Sequence, residues 1–123
     1  MFILSPQAKV FLAKDPTDMR KSFRSLTAIT EAVLQQEPTS GHLFVFVNRR
    51  RDMLKILHWD GGGFWIWYRQ LERGTFQLPD QQTLDNSTGI ELTPSQLSLI
   101  LDGIDLRSAR QRLRYRPLAA VTK

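Results

Sequence analysis

The sequence predicts an α+β domain in which an antiparallel β-meander sheet is packed by one long amphipathic helix, with short C-terminal helices beside or behind the sheet. Two observations support this prediction. Three runs rich in β-branched and aromatic residues follow one another between positions 43 and 69, and apolar residues recur at helical spacing between positions 19 and 33. The 123 residues are enough for one domain.

The three runs predict three neighbouring strands, at Leu43–Val47, Leu54–Trp59 and Phe64–Tyr68. The break at 60–63 reads Asp-Gly-Gly-Gly, and these residues tolerate the positive φ that a tight hairpin turn requires. The break at 48–52 carries three consecutive arginines. We therefore expect a sheet of four or five strands whose first hairpin has a guanidinium-rich tip.

Placing Gly61 and Gly62 in the second turn sets a register for the hairpin, with Trp59 opposite Phe64 and Ile56 opposite Trp67. One face then carries Leu57, Trp59, Phe64 and Ile66 and is predicted to be core. The other face carries an aromatic cluster, and Leu54 lies opposite Arg69. Either a second layer formed by Leu97, Ile100 and Leu101 covers this face, or the face binds a partner or unpaired bases.

Elements on either side of the meander complete the prediction. Lys9–Ala13 is a first strand, and a helix over 18–36 begins at an N-cap, Thr17 or Asp18. Its apolar stripe consists of Met19, Phe23, Leu26, Ile29 and Val33. A short strand is predicted at 75–78, and a polar loop at 79–89.

The C-terminal third has clear helix signals. Thr93 is followed by Pro94 and then Gln96, the pattern of a capping box with proline at the first helical position, and Gly103 is placed to end this helix. Residues 106–116 have the spacing of a further helix. We expect residues 1–105 to form the domain and residues 106–123 a basic, helical tail.

Charge is distributed unevenly along the chain. The net charge is +5, yet residues 1–105 hold 11 Lys or Arg against 12 Asp or Glu, while residues 106–123 hold six Lys or Arg and no acid. Clustered guanidiniums with no balancing acids favour a polyanion such as nucleic acid. The alternatives are a solvated tail and, at the hairpin tip, a charged turn that prevents edge aggregation.

Several classes of protein are disfavoured. The chain has no cysteine, so it has neither disulfides nor a thiolate metal site, and no apolar run is long enough to span a membrane. The N-terminal segment lacks the features of a signal peptide, so we expect a cytoplasmic protein. No catalytic motif surrounds His42 or His58, and no acid spacing indicates metal ligation. We expect no enzyme activity and no cofactor.

Three segments together resemble one family: PTDMRKSF at 16–23, SGHLFVFVNRRRDMLKILHWDGGGFWIWYRQLERGTF at 40–76 and LTPSQLSLILDGID at 92–105. They resemble the TnpB accessory protein of the insertion sequence 66 family of bacterial transposable elements, over about residues 10–105. Members commonly carry Asp-Gly after the RKSF segment, where this chain has Arg24-Ser25, which makes the predicted first helix more cationic.

The resemblance implies a role in transposition beside a separate DDE-type transposase and a second small accessory protein, and it supplies no catalytic residues. The leading hypothesis is a non-catalytic protein that binds the DNA of the element ends through Arg49, Arg50, Arg51, Arg20, Lys21, Arg24, Arg107, Arg110, Arg112, Arg114 and Arg116. The rival is an adaptor that docks the transposase through His58, Trp65, Trp67 and Arg69. A regulator that binds RNA is a third alternative.

Overall fold

The computed structural model describes residues 5–79 and 88–103. In this part of the chain a five-stranded sheet is packed by two helices, so the α+β class is confirmed. The elements, in chain order, are β1 (Val10–Ala13), α1 (Phe23–Ala32), a 3₁₀ turn (Pro38–Ser40), β2 (Leu43–Val47), β3 (Met53–Trp59), β4 (Phe64–Gln70), β5 (Gly89–Leu92) and α2 (Pro94–Leu101).

The strands are ordered β4-β3-β2-β1-β5. Strands β2, β3 and β4 are antiparallel neighbours, and the predicted hairpin register holds: Trp59 lies opposite Phe64, and Ile56 lies opposite Trp67. The prediction of an entirely antiparallel sheet is wrong, because β1 is parallel to β2 while it is antiparallel to β5. The connection from β1 to β2 contains α1, and parallel neighbours require a crossover of this kind.

The first helix is shorter than predicted, ten residues instead of the span 18–36. It begins later because residues 17–21 are bound elsewhere. The Thr17 N–H donates to the Val47 carbonyl oxygen at 2.8 Å, and the Asp18 side chain accepts from the Arg20 N–H at 2.9 Å. Near the other end, Gln35 has φ 55°, which a continuing helix does not allow.

The two sheet faces are buried by different elements. On one face, Leu26 of α1 is fully buried with Phe44 and Leu57. The helical stripe differs from the predicted one, since Phe23 is 46% exposed and Thr30 is fully buried, with its hydroxyl donating to the Leu26 carbonyl oxygen at 2.8 Å. Successive side chains of a strand point to opposite faces, and this alternation places Phe44 and Leu57 on the face that α1 covers.

The opposite face is covered by α2 and by residues 71–78, which place Leu97, Ile100 and Phe76 in the core. The α2 N-terminus has the predicted capping box: the Thr93 hydroxyl accepts from the Gln96 N–H at 3.1 Å, and the Gln96 side chain accepts from the Thr93 N–H at 2.9 Å. The predicted strand at 75–78 is absent, since Phe76 makes a single backbone bond to the Arg51 carbonyl oxygen.

Candidate nucleic-acid interface

The turn between β2 and β3 is organised by one asparagine. The Asn48 side-chain oxygen accepts from the backbone N–H groups of Asp52 and Met53, at 3.0 and 3.1 Å, and its amide nitrogen donates to the Asp52 carboxylate at 2.7 Å. Arg51 closes the turn with φ 61° and donates its N–H to the Asn48 carbonyl oxygen. The carboxylate nearest in sequence to the arginines is therefore bound by Asn48.

The three arginines of this turn, Arg49–Arg51, are exposed and form no ion pair within residues 5–79 and 88–103. In that part of the chain the single ion pair joins Arg20 and Asp18, at 2.7 Å. A guanidinium that is exposed and unpaired keeps all five donors for an external acceptor such as phosphate. The turn thus has the properties expected of a phosphate-contacting tip.

An open cleft of about 660 Å³ lies between this turn and the loop that precedes α1. The loop is held against the sheet by the bond from Thr17 to Val47 and by the Lys55 ammonium, which donates to the Lys21 carbonyl oxygen at 2.7 Å. Arg20 and Asp18 line the cleft on the loop side, and Arg49 and Arg50 line it on the turn side. The structure therefore brings together two groups of predicted DNA-binding residues that are far apart in sequence.

Asp18 and Arg20 are electrostatically coupled within the cleft. The Arg20 guanidinium, which donates to the Asp18 carboxylate, lowers the pKa of that carboxyl from 3.8 to about 2, and the Arg20 backbone N–H adds to the shift. The same contact raises the pKa of Arg20. Because the folded-state pKa lies below the unfolded value, the carboxylate stabilises the folded loop above about pH 3.8, and this contribution is lost as the pH falls toward 2.

We expect a carboxyl NMR titration to place the Asp18 midpoint near pH 2 in the unmodified protein. The Arg20→Gln variant removes the charged donor, so its midpoint should return toward 3.8. Lys9→Gln, whose side chain lies at the other end of the sheet, should leave the midpoint unchanged. A midpoint near 3.8 in the unmodified protein would show that the pair does not persist in solution.

Cations are concentrated at the end of the sheet that bears the arginine turn. β1 and β2 both run toward this end, which places Lys14 there together with the turn and the cleft loop. Asp60 lies at the opposite end, in the β3–β4 turn, and Lys9 precedes β1 there. A field of this polarity would orient an approaching polyanion toward the cleft.

The residues of the aromatic face predicted to bind a partner differ in their exposure to solvent. His58 is buried, with its Nδ1 3.4 Å from the His42 carbonyl oxygen, whereas Trp65 and Trp67 are 50% and 41% exposed. The two indoles stack with their ring centroids 5.8 Å apart. The Trp65 N–H donates to Asp60 at 2.6 Å and, with the backbone N–H groups of the turn, lowers the pKa of that carboxyl.

The second layer covers this face only in part. Leu97 and Leu101 of α2 line a groove of about 420 Å³ together with Leu54, Ile56 and Trp67, and the groove leaves the outer part of β4 exposed. Arg69, the fourth residue predicted to bind a partner, is exposed and lines the same groove. Of the four residues, three are therefore accessible, and His58 is not.

Residues 8–111 match the family described as IS66 Orf2-like protein. The chain belongs to this family. Two relatives from Sinorhizobium fredii (strain NBRC 101917 / NGR234) are similar to it: the uncharacterized protein y4hO is 37% identical over 86% of this chain and 89% of its own length, and the uncharacterized protein y4jC is 28% identical over 89% and 90%. No solved structure matches.

Membership of the IS66 Orf2-like family confirms the resemblance found in the sequence and supports a role as an insertion-sequence accessory protein. Within residues 5–79 and 88–103, no group of three or more His, Asp or Glu side chains is arranged to hold a metal ion. No helix of this described part is both long enough and apolar enough to cross a membrane.

Tyr68 of this IS66 Orf2-like protein lines the cleft, although no sequence motif marks it. Its ring is 55% exposed and lines the cleft, its hydroxyl donates to the Met53 sulfur at 3.1 Å, and the Lys55 ammonium lies 4.8 Å from the ring centroid. Tyr68 lies directly opposite Lys55 in the β3–β4 ladder, so the hairpin register was the available signal. An exposed ring beside cations adds a stacking surface to a basic cleft.

The remaining predicted DNA-binding residues fall into two groups. Lys21 and Arg24 are exposed and do not line the cleft. The tail residues lie outside the described residues, as does the helix predicted at 106–116; they are Arg107, Arg110, Arg112, Arg114 and Arg116.

Proposed function

We propose that this protein is a non-catalytic accessory of insertion-sequence transposition that binds the DNA of the element through its arginine clusters. Membership of the IS66 Orf2-like family supports the part of the proposal that concerns transposition. The observation that carries the DNA-binding proposal is the cleft, where Arg49 and Arg50, free of carboxylates in the described chain, face Arg20. The element-encoded transposase and a second accessory protein are the proposed protein partners.

Phosphate groups are the proposed ligands of the cleft. A guanidinium binds a phosphate through parallel N–H donors, and such contacts position a protein on DNA without reading its sequence. Arg20 is shared with Asp18, so a phosphate entering the cleft competes with a carboxylate already in place. Arg51 and the tail arginines extend the proposed contact surface beyond the cleft.

Fluorescence anisotropy with labelled duplexes tests this proposal. If about six phosphates are engaged, log affinity should fall with log salt at a slope near −5, for element-end DNA and for unrelated DNA of the same length. A similar slope on both duplexes is expected, because backbone contacts dominate it. A protein that fails to bind either duplex at about 0.1 M salt would refute direct DNA binding.

The exposed indoles of Trp65 and Trp67 favour a second candidate function, an adaptor that docks the transposase. In that case the protein should co-purify with the transposase in the absence of DNA, and Trp67→Ala should abolish the co-purification. The same variant should bind DNA with the unmodified salt slope, since Trp67 does not line the cationic cleft. Loss of both properties would indicate a damaged fold.

A further inference from the structure

In the described part of the chain, β4 is an edge strand whose outer side pairs with no other strand. The Asn48 N–H donates to the Met53 carbonyl oxygen, and the Leu71 N–H donates to the Asp52 carbonyl oxygen. Hydrogen-bonded and non-hydrogen-bonded pairs alternate along an antiparallel ladder, so these two bonds identify which β3 residues bond to β2 and which bond to β4. β4 therefore bonds to β3 through Trp65, Trp67 and Arg69. The outward N–H and C=O groups belong to the alternate residues, which are Phe64, Ile66, Tyr68 and Gln70. Within residues 5–79 and 88–103, these outward groups make no other backbone hydrogen bond.

This edge has few of the features that usually prevent strand pairing, and Arg69 is its one charged residue. β4 is seven residues long, contains no proline, and pairs with β3 without a bulge from Gln70 to Phe64. Its exposed side chains include Trp65, Trp67 and Tyr68. A long, regular and apolar edge strand of this kind is a template for another strand. By contrast, β5 at the other edge has four residues, one of them Glu91.

We propose that β4 pairs antiparallel with β4 of a second copy of this chain, joining two five-stranded sheets across a two-fold axis at Trp67. Residues whose backbone N–H and C=O groups point outward must lie opposite one another, because only these groups can bond between the two strands. A register centred on Trp67 meets this condition over the whole strand. Ile66 then lies opposite Tyr68 of the second copy, and Phe64 opposite Gln70. Four such pairs would exchange about eight backbone hydrogen bonds.

The pairing of Arg69 with an indole favours a second copy as the occupant. Arg69 is the only charged residue of β4, and in this register it lies opposite Trp65 of the second copy, on the face that both side chains share. A guanidinium over an indole is a favourable cation–π arrangement, and cross-strand pairs of this type stabilise sheets. No like charges meet along the strand. Because the axis is perpendicular to the sheet, both cationic clefts lie on the same face of the joined sheet.

Sedimentation of the DNA-free protein over about 1 to 100 μM tests the pairing independently of the proposed function. The mass should approach twice the 14.2 kDa of one chain as the concentration rises. Trp65→Arg sets two guanidiniums opposite each other and should hold the protein at the monomer mass. Trp65→Glu loses the same indole but faces Arg69, so it should dimerise again. A monomer mass for the unmodified protein at every concentration would overturn the proposal.

The absence of cysteine allows the register to be tested directly. On the axis, the two Cα atoms at position 67 would lie about 4.5 Å apart in a non-hydrogen-bonded pair, which is within disulfide range. Trp67→Cys should therefore form a disulfide-linked dimer under mild oxidation. Position 65 lies opposite position 69, so the Cα atoms of two copies at 65 are about 14 Å apart and Trp65→Cys should not cross-link. Equal cross-linking of both variants would overturn this register.

Discussion

Replacing Arg49 and Arg50 together by glutamine should flatten the salt dependence of DNA binding by about two units of slope. Each phosphate contact contributes about −0.9 to the slope of log affinity against log salt, so two lost contacts remove about 1.8. Over a fourfold rise in salt, the unmodified protein should therefore lose about tenfold more affinity than the variant. The measurement is anisotropy on one duplex at several salt concentrations.

Glutamine keeps the polarity of the side chains while it removes their charge, and both positions are exposed, so the fold should be unaffected. Arg51 is left unchanged because its φ of 61° and its carbonyl bond from Phe76 are part of the turn. Lys9→Glu is the matched control, since it alters the net charge by the same two units at the opposite end of the sheet. An unchanged slope in the double variant, or an equal change in the control, would remove the turn from the DNA-binding surface.

Replacing Gly89 by alanine should destabilise the protein by about 2 to 3 kcal/mol, a typical cost of forcing extra atoms into a packed site. A Cβ at this position would lie 2.5 Å from a methyl carbon of Leu34 and 2.8 Å from the Leu12 carbonyl oxygen. Leu34 can move, but the Leu12 carbonyl belongs to β1, which is held between β2 and β5. Relief of the clash therefore requires β5 to shift away from its partner strand.

Urea unfolding followed by tryptophan fluorescence measures this loss, because the free energy of unfolding is obtained from the transition midpoint and slope. Gly63→Ala is the matched control, since a Cβ there meets no atom within 4 Å and the backbone does not have a positive φ. We expect the control to change the free energy of unfolding by less than about 0.5 kcal/mol. Equal stability of the two variants would contradict the close approach of β5 to Leu12.

The parts of the fold that local sequence determines were predicted well. The Asp60–Gly63 turn and the alternation on either side of it fixed the β3–β4 register, and Thr93 with Gln96 fixed the start of α2. The α1 boundary was missed because the Thr17 N–H is bound by Val47, 30 positions away, and no local pattern reveals such a bond. The direction of β1 was equally hidden, since four apolar residues suit a parallel or an antiparallel neighbour.

In the candidate site, too, the features set by local sequence were predicted, and those set by contacts between distant residues were not. The arginine turn was evident from three adjacent cations, whereas the approach of Arg20 to it depends on how residues 17–21 attach to the sheet. The exposure of Trp65 and Trp67 depends on how far α2 extends across a face, which helix length alone does not give. The domain boundary at 105 and the role of the tail stay predictions, because residues 104–123 lie outside the described part.

The position of β1 between β2 and β5 sets the order in which the sheet can be completed. Strands β2, β3 and β4 join by short turns, so they can assemble from near neighbours soon after residue 70 has been synthesised. β1 is made first, yet Val10 pairs with Leu92 and must wait for the end of the domain before its second edge is filled. Because distant pairings form slowly, the strand nearest the N-terminus is expected to gain both neighbours only in the last step of folding.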